Sequence, residues 1–376
     1  MRLGLGVSDL RRIAALGVLL SLAAAASAGD LVLVPQVIQD QDLLKVAPTG
    51  EGSIAVLHQG GVDLVQPGGA HAVLARPSAG EVLFLSDEGW FIGVATYREG
   101  AADFAPTASF ELRDRTGKVL WRTGPTEDVN YVISKGGTVV GMSLNINVPQ
   151  HNRLHFYNTD GTQAAEVEVP YLESGRFDPE GGVFLALSTA EGLKAFDPSG
   201  TELWTVQGAR MFAAAPGGER VAVLGDGWLS VVHNGSQIAS IPLDEILVRR
   251  IAIAPDGSRV AIAGKQEIRV YNGESLTTLW TRRLEEGGLA WTSVDVGVQG
   301  RWLLAGVARD LGEGVAVEKR HPAGEVRAYD ASGQLAHRAP LEFPVWNIWT
   351  PTVLLDRSGA AATITTRRAV YRTVLP

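Results

Sequence analysis

The chain has no cysteine in its 376 residues. That excludes disulfides, thiolate metal sites, a cysteine nucleophile and a lipid-modified N-terminal cysteine. No apolar run reaches the roughly 20 residues that a helix needs to cross a bilayer, so the chain is not expected to be membrane-integral. Basic residues are outnumbered, Lys+Arg 33 against Asp+Glu 41, and the net charge of −8 argues against nucleic acid and anionic membrane surfaces as partners. Reaction signatures are absent as well. There is no Gly-x-Ser-x-Gly, no Gly-x-x-x-x-Gly-Lys-(Ser/Thr) phosphate loop and no spacing that nominates a Ser-His-Asp triad.

The longest apolar run, residues 13–26, follows Arg2, Arg11 and Arg12 and ends in Ala26-Ser27-Ala28. This is the charged start, short apolar centre and small-residue cleavage site of a signal peptide, with cleavage expected after Ala28. Ala14 and Ala15 stand where a twin-arginine signal prefers bulkier residues, which favours the general secretory route. Residues 1–28 are therefore expected to be a signal peptide and residues 29–376 a single exported domain, periplasmic or secreted. Loss of the leader removes more positive than negative charge and leaves the remainder more acidic still.

Glycine is abundant, with 44 copies, and it punctuates the chain in two alternating families of turns. The first includes Pro48-Thr49-Gly50, Lys135-Gly136-Gly137, Ala215-Pro216-Gly217-Gly218 and Pro255-Asp256-Gly257. The second includes Asp114-Arg115-Thr116-Gly117, Asp197-Pro198-Ser199-Gly200, Asn272-Gly273 and Asp330-Ala331-Ser332-Gly333. Gly supplies positive φ, and Asp or Asn bonds back to the backbone, so these are tight turns between short strands. Around Asn272, Ile251 and Ile253, Val260 and Ile262, Ile268 and Val270, and Leu276 and Leu279 mark four successive strands. Four strands recurring every forty residues or so is the pattern of a β-propeller blade.

The last repeat supplies only three strands, while residues 31–38 form a strand without a local partner. Joining the two closes the ring and removes two exposed sheet edges. The expected fold is thus all-β, a β-propeller of four-stranded antiparallel blades, eight in number, closed by the N-terminal strand in the C-terminal blade. Seven blades is the alternative, because the first unit, residues 42–77, is short.

Residues 114–121 and 197–204 both read Asp-x-(Ser/Thr)-Gly-x-x-x-Trp. This resembles the tryptophan-docking motif of quinoprotein-dehydrogenase-like propellers, and the Pro-Asp-Gly type of turn resembles those of bacterial WD40-like repeat proteins. The resemblance implies that Trp121, Trp204 and Trp280 wedge between neighbouring blades, with each indole N–H finding a backbone partner. His337 and Ala165 stand where two further tryptophans would be. No cofactor is expected: the chain lacks the adjacent cysteine pair that many such enzymes carry over their quinone.

Candidate binding residues fall in three enlarged connections, residues 97–107, 145–153 and 309–324, all at the end of the ring opposite the tight turns. They are Tyr97, Arg98, His151, Asn152, Arg309, Asp310, Glu318, Arg320 and His321. His151 and His155 would share a strand face about 13 Å apart at about 3.3 Å per residue, too far to hold one metal, and the Asp-rich turns offer too few oxygens for calcium. No metal or catalytic residue is nominated. The chain is expected to be a monomeric, non-enzymatic scaffold that binds a protein or a cell-envelope polymer through its loop-rich face. A similar role is filled by the propeller subunit of the outer-membrane β-barrel assembly machinery. The alternative is a propeller enzyme, a quinoprotein-like dehydrogenase or a lyase or hydrolase, with its site in the central funnel.

Overall fold

The computed structural model describes residues 34–38, 43–49, 52–66, 70–97, 107–145, 147–243, 248–285, 289–309, 324–341, 352–356, 359–366 and 369–375. After β1 (Val34–Ile38), blade 1 holds β2 (Leu43–Pro48), β3 (Ile54–His58), β4 (Gly61–Val65) and β5 (His71–Ala75). Blade 2 holds β6 (Glu81–Leu85), β7 (Phe91–Tyr97), β8 (Thr107–Asp114) and β9 (Val119–Thr123). Blade 3 holds β10 (Asn130–Ile133), β11 (Val139–Ser143), β12 (Arg153–Tyr157) and β13 (Gln163–Glu168). Blade 4 has β14 (Leu172–Phe177), β15 (Phe184–Ser188), β16 (Gly192–Phe196) and β17 (Glu202–Val206). Blade 5 has β18 (Ala209–Ala214), β19 (Arg220–Gly225), β20 (Trp228–His233) and β21 (Ser236–Pro242). Blade 6 has β22 (Arg250–Ile253), β23 (Arg259–Ala263), β24 (Glu267–Asn272) and β25 (Thr278–Arg283). Blade 7 has β26 (Leu289–Val296), β27 (Trp302–Arg309), β28 (Gly324–Asp330) and β29 (Leu335–Leu341), and blade 8 has β30 (Thr352–Leu355), β31 (Ala361–Thr365) and β32 (Ala369–Val374).

Each blade is a four-stranded antiparallel sheet, and eight of them make the ring. The eighth is composite. Its order is β1-β32-β31-β30, with Val34 opposite Arg372 and Ile38 opposite Ala369. Eight blades, not seven, follow from this closure.

Burial falls off from the middle of a blade to its outer strand. All five residues of β3 and of β15 are buried, whereas β21 is mostly exposed. The core lies between blades: Val140, Met142, Leu154 and Phe156 of blade 3 meet Phe177, Phe184 and Phe196 of blade 4. Burying each of these side chains stabilises by about 1.5–3 kcal/mol, and aliphatic clusters fill the junctions that flank blade 1.

The predicted docking tryptophans sit at those junctions. Trp121 packs on Gly161 in the outer turn of the next blade, Trp204 on Gly235 and Trp280 on Gly333. Ala165 uses the same geometry on Gly200. The expected N–H bonds are not made by two of the three: the buried indole nitrogens of Trp121 and Trp280 have no hydrogen-bond partner. The ring is pressed flat on a glycine, so apolar contact, not the N–H, holds it. A second departure concerns Leu276, expected in the fourth strand of its blade. It lies in the turn instead, with φ 54, its amide bonded to Asn272 O at 3.0 Å and its side chain buried. Trp346 and Trp349, which three-residue spacing on a strand would send to opposite faces, lie outside the described residues.

The tight turns also staple blade to blade. Asp178 accepts the amide of Gly217 at 2.8 Å and Asp256 that of Gln299 at 2.9 Å, each from the following blade. At the last junction Asp295 accepts the Leu355 amide at 2.7 Å and its own neighbour's, Val296, at 2.9 Å. Each is a charge-assisted bond replacing water at a seam.

Candidate functional site

The tight turns occupy one face of the ring, and the remaining connections the other. On that second face Tyr97 ends β7 and donates its hydroxyl to Val129 O at 3.0 Å, bridging blades 2 and 3. His151 closes a short 3-10 turn, Pro149–His151, where it is exposed and 3.8 Å from Glu168. Asn152 is buried, and its side-chain oxygen accepts the Asn145 amide at 2.8 Å, so it shapes the loop and does not reach outward. Arg309 is the last residue of β27. Arg98, Asp310, Glu318, Arg320 and His321 lie outside the described residues.

The expectation that His151 and His155 share a strand face is overturned, because a 3-10 turn intervenes. His155 is instead a buried member of β12, its Nδ1 2.6 Å from Asp128 Oδ1, while Tyr157 donates to Asp128 Oδ2 at 2.8 Å. Asp128 has no exposed surface. Gly141 makes room for it, since a Cβ there would meet the carboxylate at 2.2 Å. Thr107 donates to the Asp128 carbonyl at 2.6 Å and Thr126 meets Tyr131 at 2.9 Å, extending the network through the connection between blades 2 and 3. Donating to the Asp128 carboxylate raises the His155 pKa above its ordinary value, with Glu166 on its far side adding to the effect. Burial and the same Asp128 charge hold the Tyr157 hydroxyl protonated.

This network floors a lateral groove of about 310 Å³ lined by Thr126, Glu127, Arg153, Tyr157 and Glu166. Across it Arg153 pairs with Glu166 at 2.9 Å. Blade 1 repeats the device with His58, Asp63 and Arg76. An Asp–His pair used twice to tie strands together is a structural element. Among the described residues no group of three or more His, Asp or Glu is placed to hold a metal.

The central channel is different. The inner strands of four blades are bulged at the same level, next to the loop-rich face, where the register with the second strand steps over Leu44, Glu173, Arg210 and Thr292. A bulge re-aims a side chain, and here it places one residue per bulged blade at the channel rim. Leu44 is 61% exposed and Val82, at the corresponding place in blade 2, 46%. Arg249 and Arg250 open the inner strand of blade 6, and both are exposed. Inside, the inner strands of blades 1 to 4 line a pocket of about 430 Å³ that includes Leu44, Lys45, Leu83, Asn130, Glu173 and Ser174. Lys45 reaches Asp87 and Leu85 O, each at 2.7 Å. Arg176 crosses from blade 4 to blade 5, stacking on Phe212 at 4.3 Å and donating to its carbonyl.

Beside the rim stands Tyr171, 44% exposed with φ 53. Its amide donates to Pro149 O at 2.8 Å and its carbonyl accepts from Thr189 at 3.1 Å, so loops of two blades clamp a backbone conformation that a non-glycine residue rarely adopts. Nothing in the sequence marks Tyr171 or the rim; a bulge leaves no composition signal.

With this geometry in view, solved structures resemble the chain throughout. Its fold is a β-propeller, similar to those of solved WD40 domains and BamB. BamB from Moraxella catarrhalis shares 14% identity at TM-score 0.56, over 92% of this chain and 100% of that one. The WD40 domain of SCAP from fission yeast matches at TM-score 0.60 and 11% identity, over 92% and 98%. Sqt1 of Saccharomyces cerevisiae matches at TM-score 0.59 and 13% identity, over 93% and 99%. No family model and no curated protein sequence matches the chain. Among the described residues no helix is long and apolar enough to cross a membrane.

Proposed function

We infer that this chain is an exported, non-enzymatic scaffold that holds a partner protein on its loop-rich face. The observation that carries this is Tyr171, an exposed aromatic ring held in strained backbone by two neighbouring loops beside the channel rim. Tyrosine is a frequent interface anchor, and strain kept by surrounding bonds points to use. The Asp–His clusters, by contrast, are consumed in joining strands. At the rim Arg210 and Asp226 form an ion pair, but both are largely in solvent, which suits steering and not proton transfer. Likeness in fold to BamB and to WD40 domains is compatible with a scaffold. Export rests on the leader, residues 1–28, and makes the periplasm or the medium the place of action.

The test is capture from an envelope extract with the processed protein, alongside Y171A. One partner retained by the native chain and lost by Y171A, at unchanged melting temperature, is the expected result. Capture of nothing, or equal capture by both, would sink the reading. Mass spectrometry of the exported form is expected to begin at Gly29; an intact N-terminus would remove export from the proposal.

A further inference from the structure

The rim is built of two unlike arcs. On blades 1 and 2 it is aliphatic, with Leu44 and Val82 turned to solvent. On blades 5 and 6 it carries Arg210, Arg249 and Arg250. Asp226 pairs with Arg210, and Glu173 lies near enough to favour its charge. Arg249 and Arg250 have no carboxylate partner among the described residues; Arg250 turns one N–H back to the Arg249 carbonyl at 2.8 Å. Among the described residues, three guanidinium groups against two carboxylates make this arc basic in a chain whose balance is −8.

Two adjacent exposed arginines repel each other, and each keeps a planar fork of donors that matches a carboxylate. The facing aliphatic arc has no use for a uniformly charged polymer. We propose that the rim binds an acidic segment of the partner protein, its carboxylates on Arg249, Arg250 and Arg210 and an apolar side chain on Leu44 and Val82. This rests on the scaffold reading above and adds the chemistry of what is held.

The probe is a fluorescein-labelled dodecapeptide of alternating Glu and Leu, compared with its Lys and Leu counterpart and with dextran sulfate. The acidic peptide is expected to bind the processed protein at least tenfold more tightly than the basic one, and to weaken as salt is raised. R249E/R250E is expected to lose at least tenfold at unchanged melting temperature, R249Q/R250Q less, and L44D severalfold through the other arc. Equal affinity for both peptides, or affinity indifferent to the arginine variants, overturns the proposal. Dextran sulfate competing in a manner indifferent to L44D also overturns it, in favour of a plain polyanion site. Should the captured partner depend on Tyr171 but not on Arg249 and Arg250, the scaffold reading stands and this inference fails.

Discussion

Trp280 lies against Gly333 of the following blade so closely that a Cβ on the glycine would come within 2.5 Å of the indole. Gly333 also has φ 79. The turn and the docked ring therefore make the same demand on one position. Replacing Gly333 by Ala adds a conformational penalty of about 1–2 kcal/mol and an overpacking penalty of about 1–3 kcal/mol. G333A is expected to lower the melting temperature clearly, whereas G117A, equally left-handed at φ 84 but with open space around its Cβ, is expected to lose only the conformational part. Thermal melts of the two variants side by side check this; equal losses would show that the indole contact contributes nothing.

Closure depends on β1. Without it β32 becomes an unpaired edge, a template for association, although Arg372 would still reach Gly52 O across the seam to blade 1. A chain starting after Ile38 is expected to melt lower and to form oligomers visible by light scattering. Adding a synthetic peptide of residues 31–39 is expected to restore the monomer.

His155 stabilises through its charged form. Its pKa is raised in the fold by Asp128, so the folded state holds the proton more tightly than the unfolded chain does. That contribution is complete below the ordinary histidine value of 6.5 and is lost as pH rises through the folded value. H155Q is expected to cost more stability at pH 6 than at pH 9. In proton NMR the His155 ring should titrate above 6.5, and D128N should bring it down.

Asp295 works in the opposite sense. Burial pushes its carboxyl up to about 6, against two amide donors that favour the charge. The folded state again takes up the proton more readily, so the ionised carboxylate is a burden that grows from about pH 4 and is complete above pH 6. D295N is expected to gain on the native chain by on the order of 1–2 kcal/mol between pH 5 and pH 7.5. Denaturant titrations at the two pH values measure it; a constant difference would show that Asp295 does not titrate in this range.

The blade count was legible because glycine and Asp or Asn recur where φ must be positive or a side chain must bond its own backbone. Such turns are local, and their spacing alone carries the architecture. Trp121 and Trp204 were legible for the same reason, since their distance from the turn is constant. Leu276 misled because an apolar residue one step past a turn looks like the start of a strand, and only its φ of 54 shows otherwise. His155 misled because strand periodicity was extended back to His151, which belongs to a 3-10 turn before β12 begins.

By itself, then, the sequence determined the repeat and the absence of thiol and phosphate-loop chemistry, which depend on local composition, and the composite last blade, which follows from a strand count of three at the end of the chain and one spare near its start. The partners of Asp128, the strained setting of Tyr171 and the meeting of Leu44 with Arg210, Arg249 and Arg250 at one rim were decided only by the tertiary structure. Closing the ring brings the inner strands of different blades around one channel, and the bulges step Leu44 and Arg210 out of the strand register at its rim. Neither leaves a trace in local composition.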